Sequence, residues 1–244
     1  MKKNIDFKNK IVFSGFQLKL IAMISMFIDH MAAGLLENYV FNANAQTNFT
    51  ALYSFLRNIG RLAFPIYAFL LVEGFFRTKN IKLYLSRLLF FAFISQAPFS
   101  LLNTGKPFDF SYTNTLFTLF LGLLAIYIID KSPFQKNSIK DVSFMLFIIV
   151  IFSFIAIFIN SDYSYHGVIA IALIYLFFKS GSGLMFAMFL GFLFEFRMPA
   201  VFLSLPIIHF YNGERGTNLK YFFYIFYPAH LLLIYFMKSS IIKI

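Results

Sequence analysis

The stretch Leu18–Leu36, LKLIAMISMFIDHMAAGLL, is apolar over the length a helix needs to cross a bilayer, yet carries Asp29 and His30 side by side. An ionised side chain at the centre of a membrane helix costs about 3 kcal/mol on insertion scales. The pair therefore needs partners elsewhere in the chain, and the search for them organises the reading of everything that follows.

Similar apolar runs recur, and their lengths predict helices over 18–36, 57–76, 81–101, 114–130, 142–160, 165–179, 183–196, 199–211 and 221–237. The expected fold class is all-α, a polytopic membrane helix bundle of about nine spans. Segments 183–196 and 199–211 fall short of the roughly 17–25 residues of a perpendicular span, so they form either short spans or a re-entrant hairpin. With 60% hydrophobic and 13% charged residues, the chain has too much apolar surface for a soluble domain of 244 residues to hide. No composition shift, repeat or linker divides it. Residues 1–244 read as a single domain, with 1–17 as a basic cytoplasmic tail that lacks the cleavage site of a removed signal.

The net charge of +11 does not point to nucleic acid, because no soluble basic domain is present to hold it. In a multispanning chain excess Lys and Arg mark cytoplasmic loops. Taking alternate loops as cytoplasmic collects fifteen of the 21 basic residues, from Lys2–Lys19, Arg77–Arg87, Lys131–Lys140, and Lys179, Arg215 and Lys220. The bias predicts a cytoplasmic N-terminus and, with nine spans, an outside C-terminus. The Trp-free composition, rich in Phe, Ile, Lys and Asn, fits an AT-rich bacterial genome, so the expected location is a bacterial cytoplasmic (inner) membrane, with lipid as the surrounding partner. There is no cysteine, no HExxH, no phosphate-cradling glycine loop and no GxSxG elbow. Four scattered histidines without a carboxylate cluster form no metal site, so no metal is expected.

Several polar residues share the membrane with Asp29 and His30. Ala22, Ser25, Asp29 and Ala33 form a small, polar stripe suited to close helix contact. His30 lies roughly 18 Å along the first helix, in the outer half of the bilayer. Arg57 and Arg61, one turn apart, open the second helix at that level, and an Arg61–Asp29 ion pair would relieve two buried charges. Pro65 should kink this helix. Glu73 lies near Arg77 and Lys79 and reads as an interfacial salt bridge. In the last helix Tyr227 and His230 flank Pro228, with His230 at a depth of about 14 Å. Two intramembrane histidines on kinked helices suggest a lined cavity. His166, Asn114 and Thr115 fall at the outside ends of helices, where they can line an external mouth or simply cap and anchor.

The phrases IAMISMFIDHMA, RNIGRLAFPIYAFLLVEGFFRT, NTLFTLFLGLL, YSYHGVIAIALIY and YIFYPAHLLLIY, in this order, resemble the TraX family. That family is linked to N-terminal acetylation of F-pilin and is similar to a broader group of multispanning acyltransferases. The resemblance implies an acetyl-CoA-dependent transferase acting on a peptide N-terminus or glycan on the extracytoplasmic side. It covers Asp29, His30, Arg57, Arg61, Glu73, Asn114, Thr115, His166 and His230 without giving each a role. In the mechanism expected here His30 is the general base, Asp29 orients it and Arg61 stabilises the oxyanion. Arg77, Lys79, Lys82 and Arg87 would receive the phosphates of acetyl-CoA, and its arm would pass Tyr227 and His230. Arg57, Asn114, Thr115 and His166 would face the acceptor. Two other classes fit the same residues: a proton-coupled transporter relaying through Asp29, His30 and His230, and a structural subunit of an envelope or secretion complex.

Overall fold

Ser14 starts the first helix with a reciprocal cap: its backbone N–H donates to Gln17 Oε1 (2.7 Å) and its hydroxyl accepts from Gln17 N (3.4 Å). In the computed structural model, which describes residues 13–37, 40, 47–132 and 139–241, this helix is α1, Gly15–Met31. It widens into a π-helical turn over Ala32–Leu36. The basic segment 1–12, including Lys2, Lys3, Lys8 and Lys10, lies outside the described residues, as does Lys136. The helices that follow are α2, Thr47–Gly60; α3, Ala63–Arg77; α4, Ile81–Thr104; α5, Thr115–Lys131; and α6, Ile139–Phe158. The last four are α7, Ser164–Phe177; α8, Gly181–Gly191; α9, Ser204–His209; and α10, Lys220–Ile241. Among the described residues β-structure is limited to isolated bridges, Phe13 with Tyr211 and Thr113 with Ser161.

The all-helical membrane architecture is as expected. Five helical stretches are long and apolar enough to span: 15–36, 49–77, 81–104, 139–158 and 221–241. The remaining helices are shorter, and α5 falls just below that length with 17 residues. The short pair breaks up further than expected. Segment 183–196 leaves α-helix after Gly191 for a 3₁₀ turn at Leu193–Glu195, and 199–211 begins as 3₁₀ helix at Pro199–Leu203.

The second predicted helix needs correction. It begins ten residues earlier, at Thr47, and it breaks at Arg61–Leu62 where a kink at Pro65 was expected. A proline ring clashes with the carbonyl four residues back, which is that of Arg61. The helix stops there and restarts at Ala63, so Pro65 occupies a first turn where an N–H is not required. The carbonyls of Ile59 and Gly60, at the end of α2, both lie within reach of the Ser25 hydroxyl of α1 (2.8 and 3.1 Å).

The described residues divide into two compact units: those within 13–67, 101–106 and 192–241, and those within 68–100 and 107–191. In the first, α1 and α10 run parallel. Contacts pair Phe16 with Phe223, Phe27 with Phe226, His30 with His230 and Gly34 with Ile234, advancing together along both helices. The close fit depends on small residues. A Cβ on Gly34 would come within 2.5 Å of Ile234, and one on Gly60 would overlap the side chain of Asp29. The buried stripe of α1 runs Leu18, Ala22, Ser25 and, past Asp29, Ala32 and Gly34, so the π-turn replaces the expected Ala33.

In the second unit α5, α6 and α7 share a core of Leu121, Ala125, Ile148, Phe152, Ala156 and Val168. The opposite face of α6 is equally apolar: Leu146, Val150, Phe154 and Ile157 are all more than half exposed (51–68%). Water would make such a face untenable on a 20-residue helix, whereas lipid suits it.

Candidate functional site

The site lies in the first unit, where α1, α2 and α10 bring five of the predicted residues together: Asp29, His30, Arg57, Tyr227 and His230. His30 sits at the end of α1, half-buried, and His230 in α10 is 3% exposed. His30 Nδ1 is 2.6 Å from His230 Nε2. The ring planes lie within 15° with centroids 4.9 Å apart. Nitrogens at hydrogen-bond distance are too close for stacked faces, so the rings meet edge to edge. On its other side His230 Nδ1 lies 2.7 Å from the carbonyl oxygen of Phe226. Phe226 also stacks on the His230 ring (4.7 Å, 12°), Phe27 meets it edge-on (6.1 Å), and Tyr227, itself 4% exposed, lies 6.1 Å from the His30 ring.

The charges beside this pair are neutralised differently from the expectation. The Arg61–Asp29 pair is corrected: Arg57 Nη1 donates to Asp29 Oδ2 at 2.5 Å, and Arg61 Nη1 reaches Glu195 Oε1 at 3.4 Å. The break after Gly60 turns Arg61 off the helical face it would otherwise share with Arg57. Asp29 consequently serves Arg57, and the ring partner of His30 is His230, in place of Asp29. Glu195 was overlooked in the sequence. Its signal was an acidic residue isolated within the apolar run LFEF. Asn58 was overlooked too; its Oδ1 accepts from the backbone N–H of Ala200 (3.0 Å) and ties α2 to the 3₁₀ segment.

The other predicted residues lie in the second unit. Arg77 bridges the buried Glu73 (2.9 Å), the interfacial salt bridge expected of that pair. Lys79 and Lys82 are exposed, and Arg87 is partly buried. Asn114, fully buried, caps α5 by accepting from Leu116 N (3.1 Å) and donates its amide to Ala92 O and Gln96 Oε1 (2.8 and 2.9 Å). Gln96 in turn donates to the carbonyls of Asp109 and Tyr112 (2.7 and 2.9 Å). Thr115 and Thr118 donate to Asp162, at its carboxylate and its carbonyl respectively. The loop 107–114 is tied to 159–163 by Tyr112 Oη and Thr113 Oγ1, which donate to Asp162 Oδ1 and the Ile159 carbonyl (2.8 and 3.1 Å). His166, at the start of α7, packs on the ring of Tyr165 (3.8 Å). Among the described residues no group of three metal-ligating side chains occurs.

A helical membrane protein with a hydrogen-bonded imidazole pair flanked by two ion pairs is the class these features define. The TraX protein family model matches residues 14–238, and the chain belongs to the TraX family. A relative from Dichelobacter nodosus, described as "Probable fimbrial assembly protein FimC, serogroup H1", is 34% identical over 262 residues. The match covers 96% of this chain and 97% of that protein. No solved structure matches the chain.

Proposed function

We propose that this protein is a membrane-embedded acetyltransferase that moves an acetyl group from acetyl-CoA to an amine or hydroxyl on the far side of the membrane, with His30 as general base. The observation that carries the reading is the imidazole pair. His30 is half-buried at membrane depth, held by a second ring, while the carboxylate next to it is already neutralised by Arg57. A base that must hold one orientation needs such an arrangement, and the part of His30 left exposed keeps it within reach of a nucleophile. The name of the Dichelobacter nodosus relative favours an acceptor connected with fimbriae or pili.

In this mechanism His30 takes the proton from the acceptor nucleophile as it attacks the thioester carbonyl. The tetrahedral oxyanion collapses, the carbon–sulfur bond breaks, and the proton passes from the imidazolium to the departing CoA thiolate. Arg61 is the cation assigned to the oxyanion. The phosphates of the donor suit the cations of the Arg77–Arg87 segment, on the side that the basic-residue bias makes cytoplasmic.

The test uses the full chain in lipid nanodiscs with radiolabelled acetyl-CoA, following free CoA and label transfer to a primary amine or sugar. The wild-type protein is expected to release CoA, and His30→Gln to lower the rate by about 10²–10⁴-fold. An unchanged rate in the folded His30→Gln protein overturns the proposal.

A further inference from the structure

Hydrogen-bond direction can be read along the histidine pair from its fixed end. The carbonyl of Phe226 only accepts, so the His230 nitrogen 2.7 Å from it, Nδ1, must carry the hydrogen. In a neutral ring Nε2 of His230 then bears a lone pair. That lone pair faces His30 Nδ1 at 2.6 Å, which must therefore carry the next hydrogen. The reverse order would set the lone pair of His230 Nδ1 against a carbonyl oxygen. His30 is left with its lone pair on Nε2. Among the described residues Nε2 has no hydrogen-bond partner within the protein, and His30 keeps part of its surface exposed where His230 does not.

Resting on the transferase reading, we infer that His230 is a positioning residue that fixes the tautomer and ring plane of His30, leaving Nε2 as the atom that takes the acceptor's proton. It fills the place that a carboxylate fills behind a catalytic histidine elsewhere. When His30 becomes an imidazolium its Nδ1–H bond to His230 becomes charge-assisted, so the contact that orients the neutral ring also holds the charged one. The chain of bonds ends at a carbonyl, which cannot pass a proton on. The arrangement suits a base that gives its proton back at the same atom, and it does not suit a transmembrane proton wire.

Two measurements on the full chain in nanodiscs test this. The first is ¹⁵N NMR of histidine-labelled protein, assigned by replacing His166 and His209, which reads the tautomers independently of turnover. Hydrogen on Nδ1 of both His30 and His230 is expected; hydrogen on Nε2 of His30, or averaging between tautomers, overturns the inference. The second compares His230→Leu with His230→Gln, whose amide can donate to Phe226 and accept from His30. The Leu protein should lose about 100-fold in kcat, and Gln should recover at least about ten-fold of it. A Leu protein with full kcat, or Gln and Leu proteins equally impaired, also overturns the inference. If His30→Gln abolishes transfer and His230→Leu does not, positioning fails and the transferase stands. Should the NMR agree while the wild-type protein releases no CoA, the transferase reading itself fails.

Discussion

Arg57 and Asp29 are both mostly shielded, with side chains 19% and 15% exposed, and their bridge is short at 2.5 Å. Removing one member of such a pair strands the other, which costs about 3–5 kcal/mol, more than the pair itself contributes. Arg57→Ala should therefore lower thermal stability in detergent sharply, and the double replacement Arg57→Ala with Asp29→Asn should regain most of the loss. A double variant no more stable than the single one would show that the bridge is not the source of the effect. Gly60 is constrained by the same carboxylate, because any Cβ there overlaps the side chain of Asp29. Gly60→Ala is expected to cost about 1–3 kcal/mol as overpacking and, under the proposed function, to depress acetyl transfer by shifting Asp29 beside His30. Arg61 is bridged to Glu195 at 3.4 Å. If its planar fork stabilises an oxyanion, Arg61→Lys should lose nearly as much transfer as Arg61→Ala.

At the scale of elements, the interruption between α2 and α3 does most to build the site. It follows from local covalent geometry, the ring of Pro65 against the carbonyl of Arg61, yet its consequence is remote: Arg57 and Arg61 turn to different acids. The π-turn after α1 acts similarly by adding a residue to one turn, so that Ala32 and Gly34 are buried together immediately beyond His30. In the second unit Asn114 is the keystone of the loop network, since its amide holds α4 and caps α5 at once. Asn114→Ala leaves the buried Gln96 oxygen and the α5 N-terminus short of partners, and should cost about 1–3 kcal/mol. Thermal melting of the purified variant checks this. Because the network is internally satisfied at Asn114, Asn114→Ala should change the rate of transfer less than it changes stability.

Across the whole molecule, the absence of cysteine makes orientation directly measurable. Lys106 and Lys131 are both exposed and lie on opposite sides by the basic-residue bias. Lys106→Cys should react with an impermeant thiol reagent in intact cells and Lys131→Cys only after lysis; the reverse pattern would invert the topology. The membrane class, most of the long helices and the histidines were legible in the sequence, because hydropathy and intramembrane polar residues are properties of a single segment. Counting residues along each helix puts both His30 and His230 at membrane depth, without pairing them. What no single segment contains is which partner a buried polar group meets. Asp29 could be read as a charge needing relief, but choosing Arg57 over Arg61 required the break at Arg61–Leu62, and giving Arg61 to Glu195 required the packing of a distant 3₁₀ turn. The sequence determined that these charges and rings must be satisfied inside a membrane, since hydrocarbon offers them nothing. Only the tertiary structure decided that one imidazole would hold the other, because a hydrogen bond between residues two hundred positions apart exists only when α1 and α10 lie side by side.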